Sequence, residues 1–552
     1  MKKQILTGLT AGFLALSSLF PISAQAAIFS DVPQSHWAYE SVEKAVQYGI
    51  MNGLEDGTFG LGQTLTRAQF VKILSNLFHW NETQASSPFS DIQDPTAWYY
   101  GAVAAASVNG ASDVTSGAFR PNDPITRQEM AVMMVKALGY DILAGQVADT
   151  GLPFTDVTEN IGYITVAYDF GILSGRSDTT FDPNGYATRE EAASMMTRFY
   201  EKYDDSLDFT HAFYAFSSFS QKELAANYDA VSFGWGRMEL QNGVPVVNTI
   251  STGGNEWRVP AGYEDIVSYY ESHGVQMNLN VFLSADEEGS PANTILTSPS
   301  LRSQAVSAIL DELTVQYQQT GNNFFDGVTI DFEGLRGSLM RSGFTSFLTE
   351  LSQGLTAMGK DLTVAVHPKL KNSSAYYDGY DLASIGALAD HVIVMAYDYA
   401  PTTMDTASMQ AGFTTTPVTP FDEVYYAIKT TVSQVPKEKL LLGLSIDSCG
   451  WHVENGVVTN AVPITLSASQ LQDKLSQSGT TANYSRTYQN PYITYPDGNG
   501  TTTVWYENAM SMEEKIQLAK LFGLEGISIW RLGIVPDYSS AGLNVAQILR
   551  EQ

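Results

Sequence analysis

The chain has 552 residues, an apolar content of 44% and a formal charge of −29. That length calls for more than one core, and the excess of acid excludes nucleic acid and anionic membrane, both polyanions, as expected partners. A single cysteine, Cys449, excludes an intramolecular disulfide and a four-cysteine zinc site.

The first residues, Met1-Lys2-Lys3, are basic, and a mostly apolar run from Ile5 to Phe20 leads to Ala24-Gln25-Ala26. A basic start, a short apolar run and an A-x-A box predict a secretory signal peptide over residues 1–26. No other run is long enough to cross a bilayer. The expectation is a secreted protein with no membrane span in its mature form.

Three similar units follow, predicted at 27–82, 83–145 and 146–203. They open with Phe29-Ser30-Asp31-Val32, Phe89-Ser90-Asp91-Ile92 and Phe154-Thr155-Asp156-Val157. They close with Thr66-Arg67-Ala68-Gln69, Thr126-Arg127-Gln128-Glu129 and Thr188-Arg189-Glu190-Glu191. Each closing tetrad reads as a capping box, with Thr at the N-cap and Gln or Glu three residues on. An arginine in a helix's first turn opposes the helix dipole. Its recurrence suggests a fixed anionic partner, either an external ligand or the opening aspartate of the unit.

A brief acidic linker, 204–209, is too short for a long tether. The remainder, 210–552, reads as strands alternating with helices. Candidate strands are Ala212–Phe216, Ala230–Gly234, Gln276–Phe282, Val328–Phe332, Leu362–Val366, His391–Ala396, Leu441–Ser445 and Gly526–Trp530. Helices are predicted at Ser298–Gln319, Gly343–Met358 and Ser511–Phe522. Eight strands separated by helices fit an α/β TIM (β/α)8 barrel behind an α-helical bundle of three repeats. A doubly wound sheet is the alternative, but it usually carries a Gly-rich loop after its first strand, and none is visible. A small α+β insertion is expected at about 454–505, with a helix at Ser467–Ser476 and a hairpin around Pro496-Asp497-Gly498-Asn499-Gly500.

In a barrel the C-terminal strand ends form the active face. The fourth strand alternates Val328, Ile330 and Phe332 with Thr329, Asp331 and Glu333, so the polar three share one face. Like charges that close push one pKa up, which suits a general acid. The competing reading is a two-faced strand with a solvated polar side. Other strand ends offer His367, Met395-Ala396-Tyr397-Asp398-Tyr399, Asp447 with Trp451, and Trp530-Arg531. His367 is expected to be packed or hydrogen-bonded rather than catalytic. Carboxylates and aromatics converging on one mouth suit a carbohydrate.

Two resemblances sharpen this. The first unit, F-S-D-V-P…H-W-A-Y…D-G-T-F…T-R-A-Q, resembles the S-layer homology module, and the match extends over all three units. It implies a three-fold bundle that binds secondary cell-wall polysaccharide in grooves between units. On that resemblance Arg67, Arg127 and Arg189 face the acidic sugar, with Asp31, Asp91, Asp156, Trp37 and Trp98 nearby. The third unit lacks the tryptophan, and the second has Asn109-Gly110-Ala111-Ser112-Asp113 where the first has Gly49-Ile50-Met51-Asn52-Gly53.

The second resemblance is to glycoside hydrolase family 18. Its D-G-x-D-x-D-x-E signature stands as Asp326-Gly327-Val328-Thr329-Ile330-Asp331-Phe332-Glu333, its M-x-Y-D as Met395-Ala396-Tyr397-Asp398, and its eighth-strand tryptophan as Trp530. The sequence is most similar to the spore cortex fragment-lytic subgroup. The resemblance implies substrate-assisted hydrolysis with retention, without metal or cofactor. It implies Glu333 as proton donor and Asp331 as the group that orients the N-acetyl and stabilises the intermediate. Tyr397, Asp398, Met395, Trp530 and Asp326 would bind substrate. The implied substrate is peptidoglycan or its fragments; chitin is the first alternative, and a non-catalytic surface-layer protein the second. The family's second aspartate is Thr329 here, and a hydrogen bond from Thr329 to Asp331 is expected in its place.

Overall fold

The computed structural model describes residues 29–83, 86–147, 151–204, 206–250, 258–315, 323–371, 377–539 and 542–551. The predicted signal peptide lies outside the described residues.

The N-terminal part is helical. Each unit contributes two main helices: α1 (Tyr39–Gln47) and α2 (Arg67–Leu77), α3 (Tyr100–Val108) and α4 (Arg127–Ala137), and, after the short α5 (Asp141–Gln146), α6 (Ile161–Asp169) and α7 (Arg189–Asp204). All three capping boxes form, at Thr66–Gln69, Thr126–Glu129 and Thr188–Glu191. The helices close a ring across the units, α2 on α3, α4 on α6 and α7 on α1. A unit that cannot bury its apolar face alone does so against its neighbours.

The arginines form the same ring. Arg67 Nε donates to Phe119 O, Arg127 Nε to Phe181 O and Arg189 Nε to Phe59 O, and each guanidinium lies over the ring of that phenylalanine. The opening aspartates sit on the other side of the same peptides. Asp31 accepts from the N–H groups of Phe59, Gly60 and Leu61, Asp91 from Phe119 and Arg120, and Asp156 from Phe181 and Asp182. The expected pairing of each arginine with the aspartate of its own unit is therefore corrected. The aspartates hold turns, and the arginines reach into the next unit.

The second part is a closed parallel barrel. Its strands are β1 (Phe209–Tyr214), β2 (Ala230–Gln241), β3 (Gln276–Ser284), β4 (Gly327–Glu333), β5 (Asp361–Val366), β6 (His391–Met395), β7 (Leu440–Ser445) and β8 (Gly526–Trp530). Pairing runs in sequence order, and β1 closes on β8 through His211↔Ser528 and on β2 through His211↔Ala230. The first strand begins three residues before its predicted start. β2 runs on to Gln241 and folds back in a hairpin with Val244–Asn248. The helix predicted at Ser298–Gln319 is described over Pro299–Glu312, and the other two begin earlier than predicted, at Gly337 and Ala509.

The insertion after β7 is mainly a sheet. Five antiparallel strands, Val457–Val458, Cys449–Glu454, Gly500–Trp505, Asn490–Asp497 and Thr481–Ser485, lie in that order beside the helix Ala468–Ser476. It starts at Cys449, with three residues between it and the end of β7, rather than near 454. Alternation within Cys449–Glu454 is weak, which hid this strand in the sequence.

The bundle docks on the barrel. Asp169 at the end of α6 accepts from Tyr425 Oη and from Lys429 Nζ at 2.8 Å. Phe170 meets Phe522 edge-on at 5.2 Å, and Tyr140 packs against Phe421 at the same distance. Lys202 Nζ spans the seam, donating to Phe170 O and Leu521 O.

Candidate functional site

On β4 the apolar set faces outward, where Phe332 stacks on Phe347, and Thr329, Asp331 and Glu333 point into the barrel. The polar face is not solvated: Thr329 and Asp331 are 0% and 2% exposed. Beneath Asp331 runs a chain of hydroxyls and one imidazole. Thr329 Oγ1 meets Ser232 Oγ at 2.6 Å, and His211 bridges Ser232 and Ser528 with both ring nitrogens at 2.7 Å. Burial pushes His211 down to about 3, so it is neutral. Thr329 thus bonds Ser232, and the expected bond to Asp331 is absent.

Asp331 is held by a residue the sequence reading missed. Asn280, on β3, donates from Nδ2 to Asp331 Oδ2 at 3.3 Å. The other oxygen, Asp331 Oδ1, is buried with no hydrogen-bond partner, and Asn280 Oδ1 is in the same state. Asn278 and Asn280 alternate with apolar neighbours on β3, and two inward amides in a parallel strand were the available signal.

Above this floor opens a cavity of about 380 Å³ lined by Glu333, His367, Tyr377, Met395, Tyr397, Asp398 and Tyr399, among others. Burial, with the charges of Asp331 and Asp398, pushes Glu333 up to about 8. Burial raises Asp331 to about 6 against the opposing Asn280 bond, and burial with the charge of Asp447 raises Asp398 to about 6. At neutral pH the site can hold a protonated Glu333 beside an ionised Asp331. His367 stacks on Tyr377 at 3.7 Å, and burial pushes it down to about 4, so it is uncharged at neutral pH.

Tyr397 is admitted by Gly443 on β7, where a Cβ would come within 3.1 Å of the Tyr397 ring and 2.7 Å of Val394 O. Met395, Tyr397 and Trp530 share one apolar cluster with Phe213, and Trp530 meets Phe213 edge-on at 5.2 Å. Asp398 takes a left-handed backbone (φ +59°), a conformation that side-chain-bearing residues rarely adopt. Asp326 does not join the group. It precedes β4 and accepts from Met277 N, so a strand's length of roughly 16 Å separates it from Asp331. Trp235 and Trp451 are fully buried, and Trp451 Nε1 donates to Thr416 Oγ1.

Two grooves open among the described residues of the bundle. One is lined by Trp37, Arg127, Ser174, Arg176, Glu191 and Arg198, the other by Trp98, Arg189, Asn52, Gln69, Lys72 and Asn76. Trp37 and Trp98 are 63% and 58% exposed. The third arginine is different. Arg189 and Arg127 donate to the carbonyls of Asn52 and Ser174. At the equivalent position the second unit carries Asp113, whose carboxylate takes both terminal nitrogens of Arg67, with Glu129 at 2.9 Å. Arg67 is fully enclosed and already neutralised.

A family model for glycosyl hydrolases family 18 matches residues 184–534, and one for the S-layer homology domain matches 28–71, 88–131 and 153–193. YdhD of Bacillus subtilis, a candidate sporulation-specific glycosylase, is 32% identical over 250 residues, covering 43% of this chain and 56% of its own. The cortical fragment-lytic enzyme of Bacillus subtilis is 26% identical over 232 residues, covering 41% and 50%. The chain thus spans about half the length of these curated relatives. The S-layer protein sap of Bacillus anthracis is 28% identical over 200 residues, 36% of this chain and 24% of its own. Among solved structures, the C-terminal domain of a candidate chitinase from Desulfitobacterium hafniense aligns with a TM-score of 0.51 at 22% identity, over 63% of this chain and 99% of that one. At that identity the likeness concerns the fold.

Proposed function

This chain belongs to glycosyl hydrolases family 18 and carries three S-layer homology domains, and we propose that it is a secreted, wall-anchored glycosidase cleaving β-1,4 bonds at N-acetylglucosamine in peptidoglycan or its fragments. The observation that carries the reading is the pair at the barrel mouth: a half-buried Glu333 that keeps its proton near neutral pH, beside an Asp331 whose Oδ1 has no partner.

In this mechanism Glu333 gives its proton to the glycosidic oxygen as the bond from that oxygen to C1 breaks. The carbonyl oxygen of the sugar's own acetamido group forms a bond to C1, giving an oxazolinium ion. Its N–H donates to Asp331 Oδ1, and the negative charge of Asp331 stabilises the cation. Water then adds at C1 as the bond from the acetamido oxygen to C1 breaks, its proton passes to Glu333, and the configuration is retained. Asn280 holds Asp331 in place through Oδ2. Tyr397 and Asp398, which line the cavity, contact the acetamido group and the ring, and Trp530 packs in the apolar cluster of Met395 and Tyr397 beside it.

One observation favours a wall glycan as the substrate. The two open grooves, each pairing an exposed tryptophan with a buried arginine, suit an acidic wall polysaccharide and would hold the enzyme on a wall. The test is incubation of wild type and Glu333→Gln with muropeptides and with chitin oligomers, with products identified by mass. Product from wild type alone is expected. Equal product from both proteins would overturn the catalytic assignment, and cleavage of chitin oligomers alone would overturn the substrate.

A further inference from the structure

A second cavity, also about 380 Å³, adjoins the catalytic one and shares Leu370, Tyr399 and Pro401 with it. One wall is the first turn of the helix Phe421–Val432, carrying Asp422 and Glu423. The others carry Lys371, the 46%-exposed Phe413, and Tyr488.

The charges in this cavity do not balance. Lys371 Nζ donates to Asp422 Oδ2 at 2.6 Å, so one cation faces two carboxylates. Asp422 is 8% exposed, and its Oδ1 has no hydrogen-bond partner; Glu423 Oε2 is buried in the same condition. Acidic residues in a first turn are favoured by the helix dipole, but that benefit is available to exposed side chains. Burying two carboxylates and leaving an acceptor idle on each costs stability. An uncharged oligosaccharide gives no reason to hold such a pair beside the cleft.

We propose that this cavity is a subsite for an N–H donor group borne by the substrate next to the sugar in the catalytic pocket. An amine or amide N–H donates to Asp422 Oδ1 and Glu423 Oε2, and the apolar part of its carrier lies against Phe413 and Tyr488. The proposal rests on the glycosidase reading above and narrows its substrate to glycans carrying such groups. Two sources supply the same chemistry: the peptide substituent of a muropeptide, and the free amine of a de-N-acetylated glucosamine.

The experiment compares kcat/KM on four probes: a peptidoglycan tetrasaccharide with its peptides, the same glycan stripped of peptide, tetra-N-acetylchitotetraose, and a partly de-N-acetylated chitotetraose. Wild type, Glu423→Gln and Phe413→Ala are measured on each. The subsite predicts that one N–H-bearing probe exceeds its bare counterpart by roughly tenfold, the size of a hydrogen bond to a charged group. It predicts that Glu423→Gln removes most of that ratio. A gain on the peptide-bearing probe identifies the peptide as the source, and a gain on the de-N-acetylated probe identifies the sugar amine. Ratios near one for both sources in wild type overturn the subsite, as does a ratio that survives Glu423→Gln. If Glu423→Gln does not fold, Phe413→Ala, altered at an exposed position, must lower the ratio or the proposal fails. Loss of cleavage on both peptidoglycan probes with cleavage of chitin oligomers retained would defeat the peptidoglycan reading, while the de-N-acetylated arm would still decide the subsite.

Discussion

Replacing Asn280 by alanine tests how Asp331 is kept ionised without a neighbouring acid. Asn280 Nδ2 is the donor to Asp331 Oδ2, at 3.3 Å, inside a site where both residues are at most 2% exposed. A hydrogen bond to a charged group is worth about 1.5–3 kcal/mol, and the long distance puts this one at the low end. Losing about 1.5 kcal/mol from the ionised form raises its pKa by about one unit. Asp331, already lifted to about 6 by burial, would rise further. The mechanism needs Asp331 ionised, so the acid limb of the kcat/KM profile should move up by about one pH unit. That is roughly a fivefold loss at pH 6 and little change from this cause near pH 8. The assay is kcat/KM against pH on an N-acetylglucosamine oligosaccharide with a chromogenic leaving group. An acid limb that stays in place, or a loss of the same factor at every pH, would refute the reasoning.

The alkaline limb should follow Glu333, whose pKa of about 8 marks where the acid loses its proton and activity falls. The same shift affects stability. A carboxyl whose folded pKa is raised holds its proton in the folded state after the unfolded chain has lost it, so stability falls as pH rises toward 8. Glu333→Gln should therefore melt higher than wild type by a margin that widens from pH 5 to pH 8.5; a constant margin would contradict the burial argument. Thr329→Val should leave the acid limb where it is, because Thr329 bonds Ser232, and should cost about 1 kcal/mol of stability in denaturant unfolding. In the bundle, Arg67→Ala leaves Asp113 without its partner, while Glu129 keeps Arg120, and should destabilise by about 3 kcal/mol. Trp98→Ala, at an exposed position, should leave the melting temperature in place and weaken binding to purified wall polysaccharide.

Much of this protein was legible in one dimension. The repeat spacing, the three capping boxes and the eight strand positions are local patterns, set by the dipole and orphan amides of a helix start and by the period of a strand. The positions of Asp331, Glu333, Tyr397 and Trp530 at strand ends follow from the same period. What local pattern could not decide was partnership. Arg67 and Arg127 occupy identical places in their units, yet Asp113 closes one and leaves the other to line a groove. Asp326 belongs to the same motif as Asp331 but lies at the far end of the strand, because a strand separates residues by length as well as by face.

The sequence by itself determined that two acids share one face of the fourth strand, since alternation is a property of the backbone. Only the closed barrel decided that this face is dry, that Asn280 from the adjacent strand holds Asp331, and that Asp398 and Asp447 add their charge to Glu333 and its neighbours. A side chain's pKa depends on burial and on groups brought near through space, and Asn280 lies 51 residues from Asp331 in the chain.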